Sequence, residues 1–371
     1  MICDKKKCTG CFACFNICPK KAINMIEDDN GFIYPIIDEK KCINCNLCKK
    51  ICPSINNAEK YSNQKCYAVY SKNKEIREKS TSGGIATTMS LEIIKNGGVV
   101  YGVAYADNCK VRHIRVNRVE QLNQLQGSKY VHSYIEETYK NVKQDLTNEG
   151  KNRVLFIGTP CQVAGLKKYL NKDYENLITI DIICHGVPSQ KYLKDEVKRI
   201  YDDTDIDRVN FRSGNNYGFY IEKNKEYVYG IDIKKSPYCD SFMNGLSLRE
   251  NCYNCQYANP ERVSDITIGD FWGLSKKSNF YDERGKGVST VIISTKKGMD
   301  FFEENRNEFY IEERPYEESV NGNSQLRKPT IKNKNADRFK KIYASNGFYK
   351  TYKKCTKLLR LKRKVKRLLK R

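Results

Sequence analysis

Two matching groups of cysteines near the start of the chain carry its strongest chemical signal. The first reads Cys8-x2-Cys11-x2-Cys14-x3-Cys18-Pro19, and the second, 34 residues later, reads Cys42-x2-Cys45-x2-Cys48-x3-Cys52-Pro53. Three closely spaced thiolates can wrap one face of an iron–sulfur cubane, and the fourth cysteine of each group reaches the other cluster. The spacing therefore predicts two [4Fe–4S] clusters, one held by Cys8, Cys11, Cys14 and Cys52, the other by Cys42, Cys45, Cys48 and Cys18.

Zinc is the other metal that clustered cysteines bind, but it prefers four ligands supplied as CxxC pairs, and this doubled pattern is different. Between the two groups, residues 23–37 read as two short strands around the turn Asp28-Asp29-Asn30-Gly31. Residues 1–58 resemble the bacterial-type two-cluster ferredoxins, which implies a small α+β ferredoxin-like domain. Cys3 lies outside the pattern, and we interpret it as a bystander rather than a ligand.

The composition changes after the ferredoxin-like segment, and polar residues 56–64 read as a linker. Strand-like and helix-like segments then alternate, which indicates an α/β body. Two of the strand-like segments, 151–158 and 177–183, run directly into Thr159-Pro160-Cys161-Gln162 and Cys184-His185-Gly186. Sites in open α/β sheets form where strands end at their carboxyl side. We therefore expect Cys161 and Cys184 to lie at a functional site.

A CxxC pair, Cys252 and Cys255, follows later in the chain. Alone, such a pair can bind zinc, form a redox disulfide or do neither, but together with the two strand-end cysteines it completes four thiolates. We therefore predict a third [4Fe–4S] cluster at Cys161, Cys184, Cys252 and Cys255, with Cys239 as the substitute if one of these is not a ligand. Cys66, Cys109 and Cys355 are interpreted as buried or incidental thiols.

Hydroxyl-bearing residues and glycines precede a helix-like stretch at Ser80-Thr81-Ser82-Gly83-Gly84. Backbone N–H groups at the start of a helix can bind an anion such as phosphate. The alternative is an ordinary helix cap supplied by Ser80 or Ser82. The residues alone leave both interpretations open.

A set of motifs, taken in order, carries a wider resemblance. They are Ser82-Gly83-Gly84, Gly127-Ser128-Lys129-Tyr130, Gly158-Thr159-Pro160-Cys161-Gln162, Cys184-His185-Gly186, the Cys252/Cys255 pair and Gly269-Asp270-Phe271-Trp272-Gly273. Over about 65–300 the chain resembles the coenzyme F420 hydrogenase/dehydrogenase beta-subunit family. The resemblance implies an α/β flavoprotein body in two parts, at 62–145 and 150–325, with FAD beside an iron–sulfur cluster. It also implies FAD contacts at Ser82, Gly83, Gly84, Lys129 and Thr159.

Several functions suit these cofactors, because a flavin converts between one-electron clusters and two-electron substrates. The leading hypothesis is an FAD-dependent reductase that draws electrons from ferredoxin or a similar donor and reduces an organic substrate, such as a lipid-linked or cell-envelope saccharide. The first alternative is an electron-transfer subunit of a hydrogenase or dehydrogenase that works with F420 or another flavin. The second is a non-catalytic redox scaffold.

Two side chains are candidates for supplying a proton to a reduced substrate, His185 and Asp270. His185 could equally make a structural hydrogen bond that orients the Cys184 loop. Asp270 could be a ribityl contact or a turn residue, and Lys129 could hold phosphate, neutralise a reduced flavin or cap a helix.

The net charge of +23 is concentrated at the end of the chain, where residues 353–371 include eleven basic residues and no acidic one. Leu358, Leu361, Val365 and Leu368 fall on one helical face, so segment 326–371 reads as a basic tail that ends in an amphipathic helix suited to an anionic membrane surface. Nucleic acid is not expected, because no aromatic or groove-binding motif accompanies the charge. With no signal peptide or membrane span in the sequence, we expect a cytoplasmic protein that contacts the inner face of the membrane peripherally.

Overall fold

The N-terminal unit of the computed structural model is built from two short helices and one antiparallel hairpin. The structure describes residues 2–368 apart from 63, 108, 149, 151, 204 and 214–215, with side chains through residue 358 except that of Ser213. The elements of the unit are α1 (Ala13–Ile17), β1 (Ile23–Glu27), β2 (Ile33–Ile37) and α2 (Leu47–Lys50). The two strands of the hairpin span the predicted residues 23–37, and Ile23 lies opposite Ile37. Asp28 Oδ1 accepts from the backbone N–H groups of Asn30 and Phe32, which closes the turn.

An eight-stranded mixed sheet and a separate three-stranded antiparallel sheet form the body. Its strands are β3 (Lys65–Ser71), β4 (Val99–Ala106), β5 (Lys110–Val116), β6 (Val154–Gly158), β7 (Leu177–Ile182), β8 (Arg208–Ser213), β9 (Asn216–Lys223), β10 (Glu226–Asp232), β11 (Ile266–Asp270), β12 (Ser289–Ile293) and β13 (Phe309–Arg314). The large sheet has the order β13-β3-β12-β11-β7-β6-β4-β5, and the small one has the order β10-β9-β8.

The helices of the body are α3 (Lys74–Lys79), α4 (Ile85–Lys95), α5 (Thr138–Thr147), α6 (Pro160–Leu170), α7 (Gln190–Tyr201), α8 (Pro237–Met243), α9 (Lys296–Glu304), α10 (Tyr316–Gly322) and α11 (Ala336–Leu368). Some of them pack on the large sheet, whereas α7, α8 and α11 pack on one another beside the small sheet. The last of these is interrupted at Gly347, whose φ of 66° is outside the helical region. No helix in the described part of the chain is long and apolar enough to span a bilayer.

The centre of the large sheet is parallel, which decides where functional residues meet. Strands β4, β6, β7 and β11 run in one direction as neighbours. Their carboxyl ends therefore lie along one edge of the sheet, as expected for an open α/β sheet. This edge receives Thr159 after β6, Cys184 after β7 and Asp270 at the end of β11.

The two parts of the body share one sheet, because β3 lies between β12 and β13 in the large sheet. A strand from the first part is thus inserted among strands of the second. Such pairing joins residues more than 200 positions apart and cannot be read from local patterns. The mixed α/β character expected from the sequence is nevertheless what the body shows.

Two segments expected to be loose are packed into the body. In the proposed linker, Ala58 is buried, and Tyr61 exchanges two backbone hydrogen bonds with Arg262. In the proposed tail, Phe339, Tyr343 and Phe348 are buried in one core with the aromatic residues of α7 and α8. Segment 326–371 is therefore packed against the body at least as far as Cys355. The side chains of Leu361, Val365 and Leu368 lie outside the described residues.

Candidate metal centres

One cavity on the inner side of the ferredoxin-like unit collects the cysteines predicted to hold the first cluster. Cys8, Cys11, Cys14 and Cys52 all line it. The loop that carries the first three has left-handed backbone at Gly10 (φ 66°) and Phe12 (φ 63°), which turns it around the cavity. Left-handed backbone is uncommon for a residue such as phenylalanine, so the fold imposes this conformation.

The second cysteine group repeats this loop conformation with different residues. Asn44 and Asn46 stand where Gly10 and Phe12 stand in the first group, and their φ values are 53° and 56°. Burial raises the pKa of Cys48, and the negative charges of Cys45 and Cys18 raise it further. Cys18 therefore lies near Cys48 of the second group, and the crossed ligand sets stay a prediction from the spacing.

Cys3 lies inside the first cavity, although its position in the sequence suggests a bystander. Its thiol shares hydrogen bonds with Cys8 and Cys52. The hydrogen bond from Cys3, followed by the positive charge of Arg249, lowers the pKa of Cys8 to about 6. A fifth thiol thus stands beside the predicted ligands, and the spacing of the eight motif cysteines gives no sign of it.

A second cavity lies at the carboxyl edge of the large sheet and contains the four cysteines predicted for the third cluster. Cys161 is in the first turn of α6, Cys184 follows β7, and Cys252 and Cys255 belong to a short helical turn and the residue after it. Burial raises the pKa of Cys161 and Cys252 to about 12. Among the described residues no three His, Cys, Asp or Glu side chains converge on a single-ion site; these thiols surround a cavity instead.

Cys239, the proposed substitute ligand, lies elsewhere. It is 1% exposed within α8, and its thiol donates to the carbonyl of Gly218 in β9 over 3.6 Å. It does not line the second cavity, which leaves the set of Cys161, Cys184, Cys252 and Cys255 as the one that the fold brings together.

Two other predicted site residues, Thr159 and His185, form walls of the second cavity. Thr159 Oγ1 lies 3.2 Å from Cys161 Sγ and also takes part in the capping box of α6 with Gln162. His185 Nε2 donates to the carbonyl of Phe242 over 3.2 Å, so that Nδ1 accepts from Gln325 over 3.1 Å. Both ring nitrogens are engaged, and burial lowers the pKa of the imidazole. The contacts match the structural interpretation of His185.

The two cavities meet at the ferredoxin-like unit. Thr9, which lies between ligand candidate Cys8 and Gly10, lines both of them. On the body side, Gly165 of α6 touches Cys11 so closely that an added Cβ would stand 3.1 Å from its sulfur. The first cysteine group therefore faces the body, separated from the second cavity by little more than one residue.

Arg249 fills the space beside this junction, and sequence reasoning missed it. Its side chain is 1% exposed, with Nε donating to the carbonyl of Cys8 and Nη2 donating to that of Ile33, each over 2.8 Å. The Nη1 atom of Arg249 is buried and has no hydrogen-bond acceptor in the described part of the chain. Its partners are more than 200 positions away in the sequence, so no local pattern marks it.

Ser82 and Asp270, which are far apart in the chain, form a separate group at the same edge of the sheet. A hydrogen bond from the Ser82 hydroxyl and the charge of Arg212 oppose the larger effect of burial, which raises the pKa of Asp270. The neighbouring Gly83 donates its N–H to Ser289 Oγ over 2.9 Å, and a Cβ there would stand 2.4 Å from the carbonyl oxygen of Val69. Close packing against β3 and β12 therefore explains this glycine.

The start of α4 and the Lys129 side chain bear on the predicted anion site. The helix begins after Gly84 with no side-chain cap, so neither Ser80 nor Ser82 caps it. Lys129 Nζ donates to the backbone carbonyls of Gln124, Leu125 and Gln126, which closes the end of a short 3-10 helix. These three bonds use all the N–H donors of an ammonium group. In this conformation Lys129 stabilises a loop and has no donor left for phosphate.

Comparison with known families accounts for most of the chain. Residues 66–139 match the N-terminal family model, and residues 151–319 the C-terminal family model, of the coenzyme F420 hydrogenase/dehydrogenase beta subunit. Residues 7–56 match the 4Fe–4S dicluster domain. The chain belongs to the F420 hydrogenase/dehydrogenase beta-subunit family. The resemblance and the N-terminal fusion predicted from the motifs are confirmed.

Two relatives illustrate how far the likeness of this F420 beta-subunit homologue extends. The coenzyme F420-dependent sulfite reductase of Methanocaldococcus jannaschii is 24% identical over 233 residues, which are 59% of this chain and 33% of that protein. The chain thus spans about a third of the length of that relative. A chain of the F420-reducing [NiFe] hydrogenase complex from Methanosarcina barkeri is 18% identical, with a TM-score of 0.46 over 72% of this chain and 91% of the other.

Both cysteine-lined cavities of the beta-subunit homologue fit iron–sulfur clusters. Each offers four thiols spread around a space, as a cubane with one thiolate per iron requires. The buried Arg249 Nη1, which lacks an acceptor, provides a positive charge beside thiolate-bound metal. The donor sets of both cavities are thus compatible with clusters, and the family match supports clusters in the N-terminal unit.

Proposed function

We propose that the chain is the electron-transfer component of an F420-type oxidoreductase, linking a one-electron carrier to a flavin or deazaflavin. Two findings support this function: the chain belongs to the F420 beta-subunit family, and one relative is an F420-dependent reductase. No contact among the described residues supports the other hypothesis, reduction of a cell-envelope saccharide. The sharing of Thr9 by the two cysteine-lined cavities carries the proposal, because it joins the ferredoxin-like unit to the body at their metal sites.

Three clusters and one flavin are the proposed cofactors, with the ligand sets predicted from the sequence. When bound, clusters supply one-electron transfer and a flavin supplies the conversion to two-electron chemistry. We propose FAD beside Ser82, Gly83 and Gly84, where the uncapped start of α4 offers backbone N–H groups to a phosphate. Asp270, next to Ser82, is then the more favourable candidate for a proton donor, because burial raises its pKa while His185 is fully engaged.

Iron and flavin analysis of the anaerobically purified protein tests these assignments. We expect about twelve irons per chain, because each of three cubanes contains four, together with one flavin released on denaturation. The visible spectrum and low-temperature EPR of the reduced protein should show interacting clusters. About eight irons without flavin would limit the cofactors to the N-terminal unit and would contradict the assignment of the body.

The two cysteine groups face in opposite directions, which indicates where a carrier protein docks. Cys8, Cys11 and Cys52 of the first cavity are buried, whereas Cys45 of the second group is exposed. Ile43 and Leu47, which flank Cys45, are 57% and 36% exposed. The surrounding exposed lysines include Lys40, Lys49 and Lys50. A small apolar surface ringed by lysine suits an acidic electron carrier of the ferredoxin or flavodoxin type.

Reversing charge on this surface is expected to slow electron transfer from such a carrier. In the double variant K49E/K50E, the rate of reduction by an acidic ferredoxin at low ionic strength should fall by about tenfold or more, because electrostatic steering is lost. The rate is measured by stopped-flow absorbance, and its dependence on salt should weaken.

The exposed pair Lys234 and Lys235 provides the matched control. The variant K234E/K235E has the same net charge as K49E/K50E, and we expect it to keep nearly the full rate. Equal slowing in both variants would show that overall charge, and not this surface, directs the carrier. Reduction by methyl viologen, a small cation, should not be slowed in either variant.

A peripheral membrane contact would depend on side chains beyond Leu358, which lie outside those described, although Leu358 itself is 73% exposed. Vesicle binding is best tested by removing residues 359–371, because Tyr352 and Cys355 are buried and a longer deletion would disturb the core.

A further inference from the structure

Two arginines are fully buried among the side chains that the structure describes, and they differ in what balances their charge. Arg249 and Arg262 are each 1% exposed. Arg262 Nη2 lies 2.9 Å from Asp181 Oδ1 in a buried ion pair. Arg249 has no carboxylate within ion-pair distance among the residues that the structure describes. A buried cation without a counter-charge is strongly destabilising, so we expect an anion beside Arg249 that no described carboxylate supplies.

Among the described residues no carboxylate contacts the Arg249 guanidinium, but it does interact with the Cys8 thiol, whose pKa its positive charge lowers. Besides the carbonyls of Cys8 and Ile33, its carbon lies 4.3 Å from the centroid of the Tyr34 ring. Its Nη1 is buried without an acceptor. These contacts fix the orientation of the guanidinium, and they leave the thiolates of the first cavity as the negative groups that can balance its charge.

The free Nη1 faces the loop that wraps the first cavity. A Cβ added to Gly10 would stand 3.1 Å from Nη1, so only glycine at that position leaves room for it. Arg249 also begins the turn that carries Cys252, a ligand candidate of the second cavity, since the Cys252 N–H donates to the Arg249 carbonyl over 3.0 Å. Arg249 therefore stands between the two sets of thiols.

We propose that Arg249 is the counter-charge of the cluster held by Cys8, Cys11, Cys14 and Cys52, and that it raises the reduction potential of this cluster above that of its partner in the ferredoxin-like unit. The inference rests on the proposed function in that it takes both cavities to hold clusters. Reduction adds a negative charge, which a fixed cation in a dry interior stabilises, and hydrogen bonds and net charge are among the factors that set cluster potentials. Arg249 would thus favour reduction of the first cluster, which is the one nearer the body, over reduction of the second.

Potentiometric titration followed by EPR tests this role in the anaerobic full-length protein. In R249M, the ratio of reduced to oxidised first cluster at a fixed potential should fall at least tenfold, a shift of about 59 mV to lower potential for a one-electron couple. R249K, which keeps the charge, should recover most of the difference. If R249M loses iron, R249Q carries the same test, because its amide can still donate to one of the two carbonyls.

Two references separate a charge effect from a general disturbance. The cluster of the second cysteine group should keep its potential in every Arg249 variant. The variant K234M, which removes the positive charge of an exposed lysine, should leave the potential of the first cluster unchanged. An unchanged or raised potential in an iron-replete R249M or R249Q would overturn the proposal for Arg249 alone, whereas a wild-type protein without the N-terminal clusters would overturn the proposed function.

Discussion

Replacing Cys252 and Cys255 with serine should remove about four of twelve irons, because a cubane that loses two of its four thiolates is not retained. The clusters of the N-terminal unit should remain, since their eight cysteines are unaffected. Electrons from a reduced ferredoxin should then reach these two clusters but not the flavin. The three measurements are iron content, EPR of the reduced protein and the rate of flavin bleaching after rapid mixing.

Cys239 provides the matched control for this experiment. It is buried and was the candidate substitute ligand, yet its thiol donates to the Gly218 carbonyl and does not line the second cavity. The variant C239S should therefore keep all its iron and normal flavin reduction. Loss of a cluster in C239S, with retention in C252S/C255S, would exchange the roles of these cysteines and contradict the assignment.

Replacing Asp181 with alanine should lower the free energy of unfolding by about 3–5 kcal/mol, because the fully buried Arg262 would lose its only carboxylate partner in the described part of the chain. Thr267 would also lose the acceptor of its 2.6 Å hydrogen bond. Arg262 donates to the Tyr257 carbonyl as well, and Tyr257 lines the second cavity, so bound iron should fall together with stability. Denaturant unfolding followed by far-ultraviolet circular dichroism measures the first effect.

The paired variant D181L/R262M distinguishes a lost ion pair from a lost shape. Removing both charges leaves no unpaired cation, so this variant should be more stable than D181A despite carrying two substitutions. A cost for D181A below about 1 kcal/mol would mean that the Arg262 charge is screened by solvent, as in an exposed ion pair. That outcome would contradict the burial of this network.

The sequence was most informative where ligands are close together in the chain or end a strand. The two cysteine groups follow from their spacing alone. Cys161 and Cys184 could be brought together in advance because β6 and β7 are neighbouring parallel strands, and residues after such strands share one edge. The Cys252 pair could then be added because four thiolates complete a cluster.

Other features depend on contacts that local patterns do not encode. In the sequence, nothing distinguishes Arg249 from another arginine beside a glutamate. Its role follows from its hydrogen bond to the carbonyl of Cys8, which is 241 positions away. Cys3 was judged by its spacing, yet the fold turns it into the first cavity. Lys129 was assigned through a motif, while its actual partners are the carbonyls of the preceding turn. In each case, tertiary packing selected one of several roles that the residue type allows.

The position of β3 in the large sheet has a consequence for biosynthesis. This strand is made early, but its partners β12 and β13 follow more than 200 residues later. On the ribosome, where about 5–20 residues are added per second, β3 must wait on the order of ten seconds or longer for its neighbours. The cysteines of the N-terminal unit are meanwhile complete, whereas the second cavity lacks Cys252 and Cys255 until late. Delivery of iron and sulfide to this protein should therefore occur in two stages, the ferredoxin-like unit first and the body only after its sheet has closed.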